Sequence, residues 1–234
     1  MNAIKKNIPN FITLLNLLCG SISIVFALNN HIEIASILIF LGVFLDFFDG
    51  FFARIFKSEN DFGLQLDSMA DLITSGLAPS LILFTLFSNL SLEQTTISSG
   101  ISFPLVALIA FLLPVFAAIR LSNFNLDKNQ KDSFIGLPTP MVAVFIASLP
   151  FNNLIDLNLM FLCIITILLS LLMVSKINLF SLKIKELKFQ KNQINIIRIS
   201  MITISLILLF AYSLSAIPFI VVLYILLSIT NNLI

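Results

Sequence analysis

The sequence predicts an all-α integral membrane protein, a polytopic bundle of about eight transmembrane helices. Of its 234 residues 59% are apolar and only 11% are charged, and the mean hydropathy is +1.07. About a quarter of the residues in a soluble domain are charged, so the composition excludes a soluble globule and a disordered chain. Two cysteines are too few for a disulfide-stapled secreted domain. At this length we expect a single membrane domain that covers residues 1–234.

The apolar residues are gathered into runs of the length that a membrane requires, which is about 20 residues for a helix. The first run follows Lys5 and Lys6, but no small-residue cleavage site comes after it, so we interpret it as a retained span rather than a signal peptide. The fifth and eighth runs are short for a span. The eight runs cover residues 11–28, 33–56, 65–88, 101–122, 138–152, 156–175, 194–213 and 216–231.

The basic residues support this number of spans and indicate an orientation. If the N-terminus is cytoplasmic and eight spans alternate, all 13 lysines and arginines fall on the cytoplasmic side, and the outer connections contain none. Cytoplasmic loops of membrane proteins are enriched in positive charge. The sequence therefore predicts a multi-pass protein of the inner cell membrane with both termini in the cytoplasm. Residues 176–193 mix lysines with apolar residues, which is typical either of a cationic amphipathic segment on the inner leaflet or of a solvated linker.

Four aspartates stand inside the predicted spans, Asp46 and Asp49 near the end of the second and Asp67 and Asp71 in the third. Each would cost about 2.5–3.5 kcal/mol at mid-membrane, so we expect a functional reason for them. On a helix, Asp46 and Asp49 are about 60° apart, and Asp67 and Asp71 are about 40° apart. Because the polar linker between the two spans is short, we expect two antiparallel helices that face each other with paired carboxylates.

Four ionised carboxylates in one place repel each other unless their charge is balanced. Two divalent cations would balance it, and an all-oxygen ligand set favours hard ions such as Mg²⁺ or Mn²⁺. Arg54 follows Gly50 by one turn and would meet a phosphate group there. The alternatives are a proton relay through the same acids, or pairing of the acids with Arg54 and Lys57 that simply holds the helices together.

The same residues form a pattern found in a known family. The run Asp46-x2-Asp49-Gly50-x2-Ala53-Arg54-x8-Gly63-x3-Asp67-x3-Asp71 resembles, at every defined position, the signature of the CDP-alcohol phosphatidyltransferases. Other stretches resemble the bacterial phosphatidylserine synthase branch of that family. They are Pro9-Asn10 with Thr13, Asn16 and Gly20, then Asp67-Ser68 to Ala78-Pro79, Arg120-Leu121 to Phe124-Asn125, Gly136 to Pro140, Met173 to Ser175, and Phe180 to Lys183.

The resemblance implies an enzyme that transfers the phosphatidyl group of CDP-diacylglycerol to the hydroxyl of L-serine and releases CMP. It also implies a homodimer surrounded by membrane lipids, and no nucleic acid partner is expected. By this resemblance two Mg²⁺ or Mn²⁺ ions are held by Asp46, Asp49, Asp67 and Asp71, and Asp71 is also the general base. The residues that the resemblance places beside CDP-diacylglycerol are Gly50, Ala53 and Gly63, which admit the cytidine close to the backbone, and Arg54, which meets the diphosphate.

Two departures from the branch pattern concern the acceptor alcohol. Ser75-Gly76 stands where the branch has Phe-Gly, and Ser122-Asn123 stands where it has Ala-Arg. Sister enzymes that use glycerol 3-phosphate or inositol phosphate are therefore an alternative. For the carboxylate of serine we expect Arg120 and Lys131 to be the binding residues, with simple interfacial anchors as the competing interpretation.

Two further hypotheses concern the acid-bearing region. Asn10, Thr13 and Asn16 recur every third residue in the first span, so they either line the same cavity as the aspartates or form a polar packing seam. A divalent-cation or proton transporter that uses the Asp cluster as its pathway is an alternative of a different class. Transporters often show internal repeats, and none is visible in this sequence.

Overall fold

The computed structural model describes residues 3–91, 95–97, 101–126, 133–180 and 193–233. Within these ranges the regular secondary structure is helical apart from four three-residue strands. The α-helices are α1 (Ala3–Leu28), α2 (Ile32–Phe56), α3 (Asp61–Asp71), α4 (Ala78–Leu90), α5 (Leu112–Leu126), α6 (Thr139–Ser148), α7 (Leu159–Val174), α8 (Gln193–Tyr212) and α9 (Ile217–Leu233). A π-helical turn, Leu72–Leu77, joins α3 to α4, and 3-10 turns cover Leu105–Phe111, Leu149–Phe151 and Ser213–Ala216.

The prediction of a polytopic all-α membrane protein is confirmed. Five helical stretches in the described ranges are long and apolar enough to cross a membrane, and two apolar helices are shorter. The long ones are Asn7–Leu28, Ile32–Phe56, Asp61–Leu90, Leu105–Leu126 and Ile199–Thr230, and the shorter ones are Thr139–Phe151 and Leu159–Val174. The last two runs of the sequence pattern are thus α8 and α9, which one short turn with a positive φ at Ser213 separates.

The fourth predicted span begins at Leu105 instead of residue 101. Pro104 has an extended backbone, with φ −74° and ψ 134°, and a proline disfavours helical conformation in the residue before it. The residues ahead of it pair as two antiparallel strands, β1 (Thr95–Ile97) and β2 (Ile101–Phe103). The helix therefore begins immediately after the proline.

α1 and α2 form an antiparallel hairpin and the most extensive helix pair of the described bundle. Their connection is a tight turn, and the Ser23 hydroxyl donates to the Ala35 carbonyl at 2.8 Å across the pair. The pairing brings the start of α1 beside the end of α2. Residues about one turn either side of Pro9 therefore lie next to the acid-bearing end of α2.

The link from α2 to α3 is defined by two caps. Lys57 adopts the left-handed conformation, with φ 50°, and its N–H reaches the carbonyls of Ala53 and Arg54, which ends α2. Asn60 begins α3 by accepting a hydrogen bond from the Gly63 N–H at 2.8 Å. Only residues 57–60 separate the two helices, so they run antiparallel and carry their aspartates to the same end of the bundle, as the sequence predicts.

The helical stretch Asp61–Leu90 is the most buried of the long ones and runs through the centre of the bundle. In its π-helical turn Thr74, Ser75 and Gly76 are buried, and a Cβ on Gly76 would lie 3.2 Å from that of Ala117 in α5. Beyond this turn α4 contributes six buried apolar residues to the described core. The largest fully buried side chains include Ile39, Ile82, Leu83, Phe87, Leu113, Ile146, Leu149, Leu162, Leu169 and Met173.

A second strand pair lies beside the C-terminal end of α5. β3 (Ser133–Ile135) and β4 (Asn178–Phe180) pair antiparallel, and Gly136, with φ +75°, directs the chain from β3 towards α6. A side chain at Gly136 would overlap the Met173 carbonyl, so only glycine fits that position. The predicted cationic segment 176–193 therefore starts with a strand, and its residues 181–192 lie outside the described residues.

Candidate active site

A cavity of about 430 Å³ opens at the end of the bundle where α1 begins, α2 ends and α3 begins. Three helices contribute to its wall because the α1–α2 hairpin and the short α2–α3 link bring those ends together. The sequence-predicted residues Asp49, Gly50, Ala53, Arg54, Gly63 and Asp67 all line it, together with Pro9, Asn10, Thr13, Ser58, Glu59, Asn60, Asp61 and Leu64.

The four aspartates lie together beside this cavity, and two of them, Asp49 and Asp67, line it. One carboxylate oxygen from each of Asp46, Asp49 and Asp67 lies within 4.8 Å of the others. Asp71 is outside that group of three, but its side chain contacts Asp46, which also contacts Asp67. Asp49 and Asp71 are buried, at 5% and 7% exposure, and the other two are half-buried. The facing acidic pairs expected from the helical period are therefore present.

The donor set fits a divalent cation. The three converging oxygens are hard ligands of the kind that Mg²⁺ and Mn²⁺ prefer. Asp67 Oδ1 is buried and has no hydrogen-bond partner, which is costly for a carboxylate oxygen unless a cation or donor meets it. Four negative groups at the end of a membrane helix bundle also need positive charge to offset their repulsion. The cluster can therefore hold a divalent metal.

The first helix contributes two hydrogen bonds to these acids. The Thr13 hydroxyl donates to Asp49 Oδ2 at 2.6 Å, and the Asn16 amide donates to Asp71 Oδ1 at 3.4 Å. Thr13 and Asn10 line the cavity, whereas Asn16 is fully buried behind it. Of the three polar residues that the sequence places on one face of the first span, two line the cavity and the third contacts an acid from the protein side.

The residues expected to approach a nucleotide leave space on the cavity wall. A Cβ on Gly50 would lie 3.6 Å from Arg54 Nη1, and a Cβ on Gly63 would lie 3.1 Å from Asn10 Oδ1. Arg54 is exposed and acts electrostatically on Asp49. The guanidinium therefore stands at the mouth of the cavity, between solvent and the acids.

Arg120 lies apart from this cavity, in a cleft of its own. It is 8% exposed, its Nη1 lies 3.5 Å from the Thr139 hydroxyl, and its Nε has no hydrogen-bond partner. It interacts electrostatically with Asp71, so its guanidinium lies near that member of the acid cluster. The cleft has a volume of about 60 Å³ and is lined by Arg120, Asn123, Phe124, Ile135, Met173, Val174 and Ser175.

The two departures from the branch pattern have different environments. Asn123 lines the cleft of Arg120, so this substitution changes the wall of a candidate acceptor site. Ser75 is 2% exposed in the π-helical turn, and its hydroxyl is buried without a partner. Lys131, the second residue expected to bind the acceptor, lies outside the described residues.

The rim of the acid-end cavity was not predicted from the sequence. Ser58, Glu59, Asn60 and Asp61 line it, and none of them is among the residues predicted for the site. A usable signal was present, because these residues fill the short link between the two acidic helices and so must lie beside the site. Asn60 also has the residue type of a helix N-cap.

Comparison with known proteins gives consistent findings. The family model described as "CDP-alcohol phosphatidyltransferase" matches residues 6–230. A relative from Bacillus subtilis named CDP-diacylglycerol–serine O-phosphatidyltransferase is 36% identical over 146 residues, which are 62% of this chain and 76% of that protein. A protein of the same name from Helicobacter pylori is 34% identical over 141 residues, 59% of this chain and 54% of that protein. An archaetidylserine synthase from Methanothermobacter thermautotrophicus is 30% identical over 146 residues, 60% of this chain and 56% of that protein. The match thus spans about half of the length of the last two relatives.

Proposed function

The chain belongs to the CDP-alcohol phosphatidyltransferase family, and on that premise we propose that it transfers the phosphatidyl group of CDP-diacylglycerol to L-serine. The observation that carries the proposal is the convergence of three carboxylates, with the fourth in contact with one of them, beside an open cavity. The names of the relatives from Bacillus subtilis and Helicobacter pylori support serine as the acceptor. The archaeal relative's name also contains serine.

In the proposed reaction the serine hydroxyl attacks the phosphorus that carries the diacylglycerol. A new P–O bond forms to serine, the P–O bond to CMP breaks, and the hydroxyl proton goes to Asp71. Phosphoryl transfer depends mainly on positioning and on stabilising charge, which suits a site built from fixed carboxylates and one arginine. The products are phosphatidylserine and CMP.

The residues predicted for the site have separate roles in this proposal. Asp46, Asp49, Asp67 and Asp71 would hold the metal, with two ions of Mg²⁺ or Mn²⁺ as our proposed number and identity. When bound, the metal neutralises charge on the diphosphate and on the departing CMP. Gly50, Ala53 and Gly63 leave room for the nucleotide, and the exposed Arg54 pairs with phosphate oxygens at the mouth.

We place the carboxylate of serine at Arg120. A buried guanidinium with an unpaired Nε, next to a small cleft and within electrostatic reach of Asp71, is suited to an amino acid carboxylate. Serine held there would have its hydroxyl between Arg120 and the general base. Lys131 remains a second proposed acceptor residue.

The distribution of charge supports a site that faces the cytoplasm of the inner membrane. Arg54, Lys57, Arg120 and Lys176 all lie at the cavity end of the bundle, and the described turns at the other end carry no lysine or arginine. Cytoplasmic ends of membrane proteins are enriched in such residues. This orientation also lets diacyl tails remain in lipid while CMP and serine exchange with water. Both termini are then cytoplasmic.

The test is a direct assay of the purified full-length protein in detergent. CDP-diacylglycerol and Mn²⁺ or Mg²⁺ are supplied, and labelled serine, glycerol 3-phosphate and inositol phosphate are offered separately. CMP release and labelled lipid are followed, with an Asp71→Asn variant and a chelator as controls. We expect serine-dependent CMP and phosphatidylserine that both controls abolish.

Other results would change the assignment in different ways. CMP release only with another alcohol would retain the reaction but move the acceptor, and would point to Asn123 and Ser75. Absence of turnover with every acceptor, in a folded protein that binds Mn²⁺, would contradict the enzyme and favour cation transport through the acid cluster. The homodimer is a separate proposal, which native mass spectrometry of the detergent complex tests by its mass.

A further inference from the structure

We propose that Thr13 and Asn16, two buried residues of α1, are positioning residues that orient one aspartate from each acidic pair. α1 carries none of the four acids, yet its side chains reach an acid on α2 and an acid on α3. The inference rests on the proposed function, because it concerns the same carboxylates. Metal binding tests it independently of turnover.

Thr13 orients Asp49, one of the two aspartates of α2. Its hydroxyl lies 2.6 Å from Asp49 Oδ2, a length typical of a hydrogen bond to an ionised carboxylate, and 3.1 Å from the Pro9 carbonyl. Thr13 is 3% exposed, so water does not compete for this contact. A carboxylate fixed through Oδ2 cannot rotate freely, and its position relative to Asp46 and Asp67 is therefore set by α1.

Asn16 orients Asp71, one of the two aspartates that α3 contributes to the cluster. Its side chain is fully buried, and its amide N–H donates to Asp71 Oδ1. Its amide oxygen is buried without a partner, which costs stability. An apolar residue of the same size would avoid that cost, so a role confined to packing does not account for asparagine here. The donated hydrogen bond to the proposed general base does.

The fold confines Asn16 closely. The Thr74 hydroxyl, from the π-helical turn, donates to the Asn16 carbonyl at 3.0 Å. A Cβ on Gly42 would lie 3.0 Å from Asn16 Oδ1, and a Cβ on Gly20 would overlap Thr74. Three helices thus meet around one asparagine, and glycine at the two crossing positions is what lets them approach. This packing leaves the amide little freedom to turn away from Asp71.

A simple polar packing seam would look different. Thr166 in α7 is fully buried and its hydroxyl donates to the Leu162 carbonyl of the same helix. Thr85 in α4 donates to the carbonyls of Ala27 and Leu81. Thr13 and Asn16 instead reach carboxylates on other helices. Thr166 is therefore a matched control, being a buried threonine with no role at the site.

The experiment compares Thr13→Val, Thr13→Ser, Asn16→Leu, Asn16→Ala and the control Thr166→Val in the purified full-length protein. Mn²⁺ binding is measured by electron paramagnetic resonance of the free ion, and kcat and KM for serine are measured separately. Loss of a residue that orients metal ligands weakens metal binding or activity by about 10- to 100-fold. We expect Thr13→Val to raise the Kd for Mn²⁺ about tenfold and Thr13→Ser to restore it. We expect both Asn16 variants to lower kcat about tenfold or more without a matching rise in KM.

Three results would overturn the inference. The first is unchanged Mn²⁺ binding in Thr13→Val together with unchanged kcat in Asn16→Ala. The second is an equal loss in Thr166→Val, since this would indicate a general packing effect. The third is a loss that Thr13→Ser does not restore. A wild type that binds Mn²⁺ but does not transfer to serine would contradict the proposed function. In that case Mn²⁺ binding alone tests this inference. Weaker Mn²⁺ binding in Thr13→Val would support it, and unchanged binding would overturn it.

Discussion

Two cavities lie at opposite ends of the α1–α2 hairpin, and the larger one lacks the features of a catalytic site. The cavity at the turn end has a volume of about 520 Å³, against about 430 Å³ at the acid end. Its ionisable lining residues are His31 and Glu33, which are both exposed to solvent. Asn89 donates to Asn30 Oδ1 at 2.8 Å on its wall, so polar groups there satisfy each other.

The acid end differs in the burial and the convergence of its charges. Asp49 and Asp71 are almost fully buried beside two more carboxylates, and Asp67 Oδ1 has no partner. A protein gains no stability from such an arrangement, because buried like charges repel each other. The comparison shows that buried, uncompensated negative charge is a better indicator of the reactive site than cavity volume. The two ends can be compared directly by substituting acids at each.

The largest expected effect comes from substituting the acids beside the acid-end cavity. Asp71→Asn removes the proposed general base and should lower kcat about a thousandfold. Serine-dependent CMP release measures it, and thermal unfolding in detergent shows that the variant is folded. Turnover that stays near the wild-type rate would remove Asp71 from the mechanism.

Metal removal should have an effect of similar order. We expect a chelator to reduce CMP release at least about a hundredfold and added Mn²⁺ to restore it, because the clustered acids repel each other and the diphosphate without a cation. Among the residues that the structure describes, the cavity at the turn end has no comparable cluster of acids, so the chelator should not act through it. Activity that persists in chelator would contradict a metal-dependent site.

The cleft of Arg120 should affect one substrate only. A hydrogen bond to a charged group is worth about 1.5–3 kcal/mol, so Arg120→Ala should raise the KM for serine about tenfold or more while the KM for CDP-diacylglycerol changes little. Lys176→Ala, at an exposed basic residue of the same end, is the matched control. An unchanged KM for serine would show that the acceptor binds elsewhere.

A smaller effect is expected where the cavity wall is tightest. Gly63→Ala places a methyl group 3.1 Å from Asn10 Oδ1, so we expect the KM for CDP-diacylglycerol to rise about threefold with little loss of stability. Gly20→Ala makes the opposite comparison, because its methyl group overlaps Thr74 and should lower the unfolding temperature first. Gly63→Ala should therefore leave the unfolding temperature nearly unchanged, and Gly20→Ala should leave the KM for CDP-diacylglycerol nearly unchanged.

The smallest effect is expected at the turn end. Glu33→Gln and His31→Ala alter exposed side chains far from the acids, and we expect the rate of CMP release to change less than about twofold. The variants are assayed alongside Asp71→Asn. A large loss of activity in either one would mean that the two ends of the hairpin are functionally coupled.

The helical period and one short link predicted the central feature of the site. Asp46 and Asp49 share a face, as do Asp67 and Asp71, and a short link makes their helices antiparallel. No knowledge of the rest of the bundle is needed for this result, because spacing along each helix and the length of one loop fix it. The facing acidic pairs were therefore predictable.

Contacts between distant helices were not predictable in the same way. That Thr13 reaches Asp49 depends on how α1 crosses α2, and that Asn16 reaches Asp71 depends on a glycine at each crossing. The cleft of Arg120 brings together residues of α5, β3 and the end of α7, which no periodicity indicates. The start of the fourth span also shifted, because a proline at 104 interrupts an apolar run whose composition does not change.

The π-helical turn Leu72–Leu77 has a consequence for the gene as well as for the protein. A π turn closes its hydrogen bonds over five residues rather than four, so it holds one residue more than an ordinary helical turn. Deleting one residue from it would therefore restore ordinary helical geometry and leave the phase between the acid-bearing α3 and α4 nearly unchanged. A deletion in α4 ahead of Ile82 has no wide turn to absorb it, and it would rotate the two halves against each other by about 100°. Either the acids would leave the cavity, or Ile82 and Phe87 would leave the core. Hydropathy would hardly change, so the position of a single lost codon would decide whether membrane insertion and catalysis are separated.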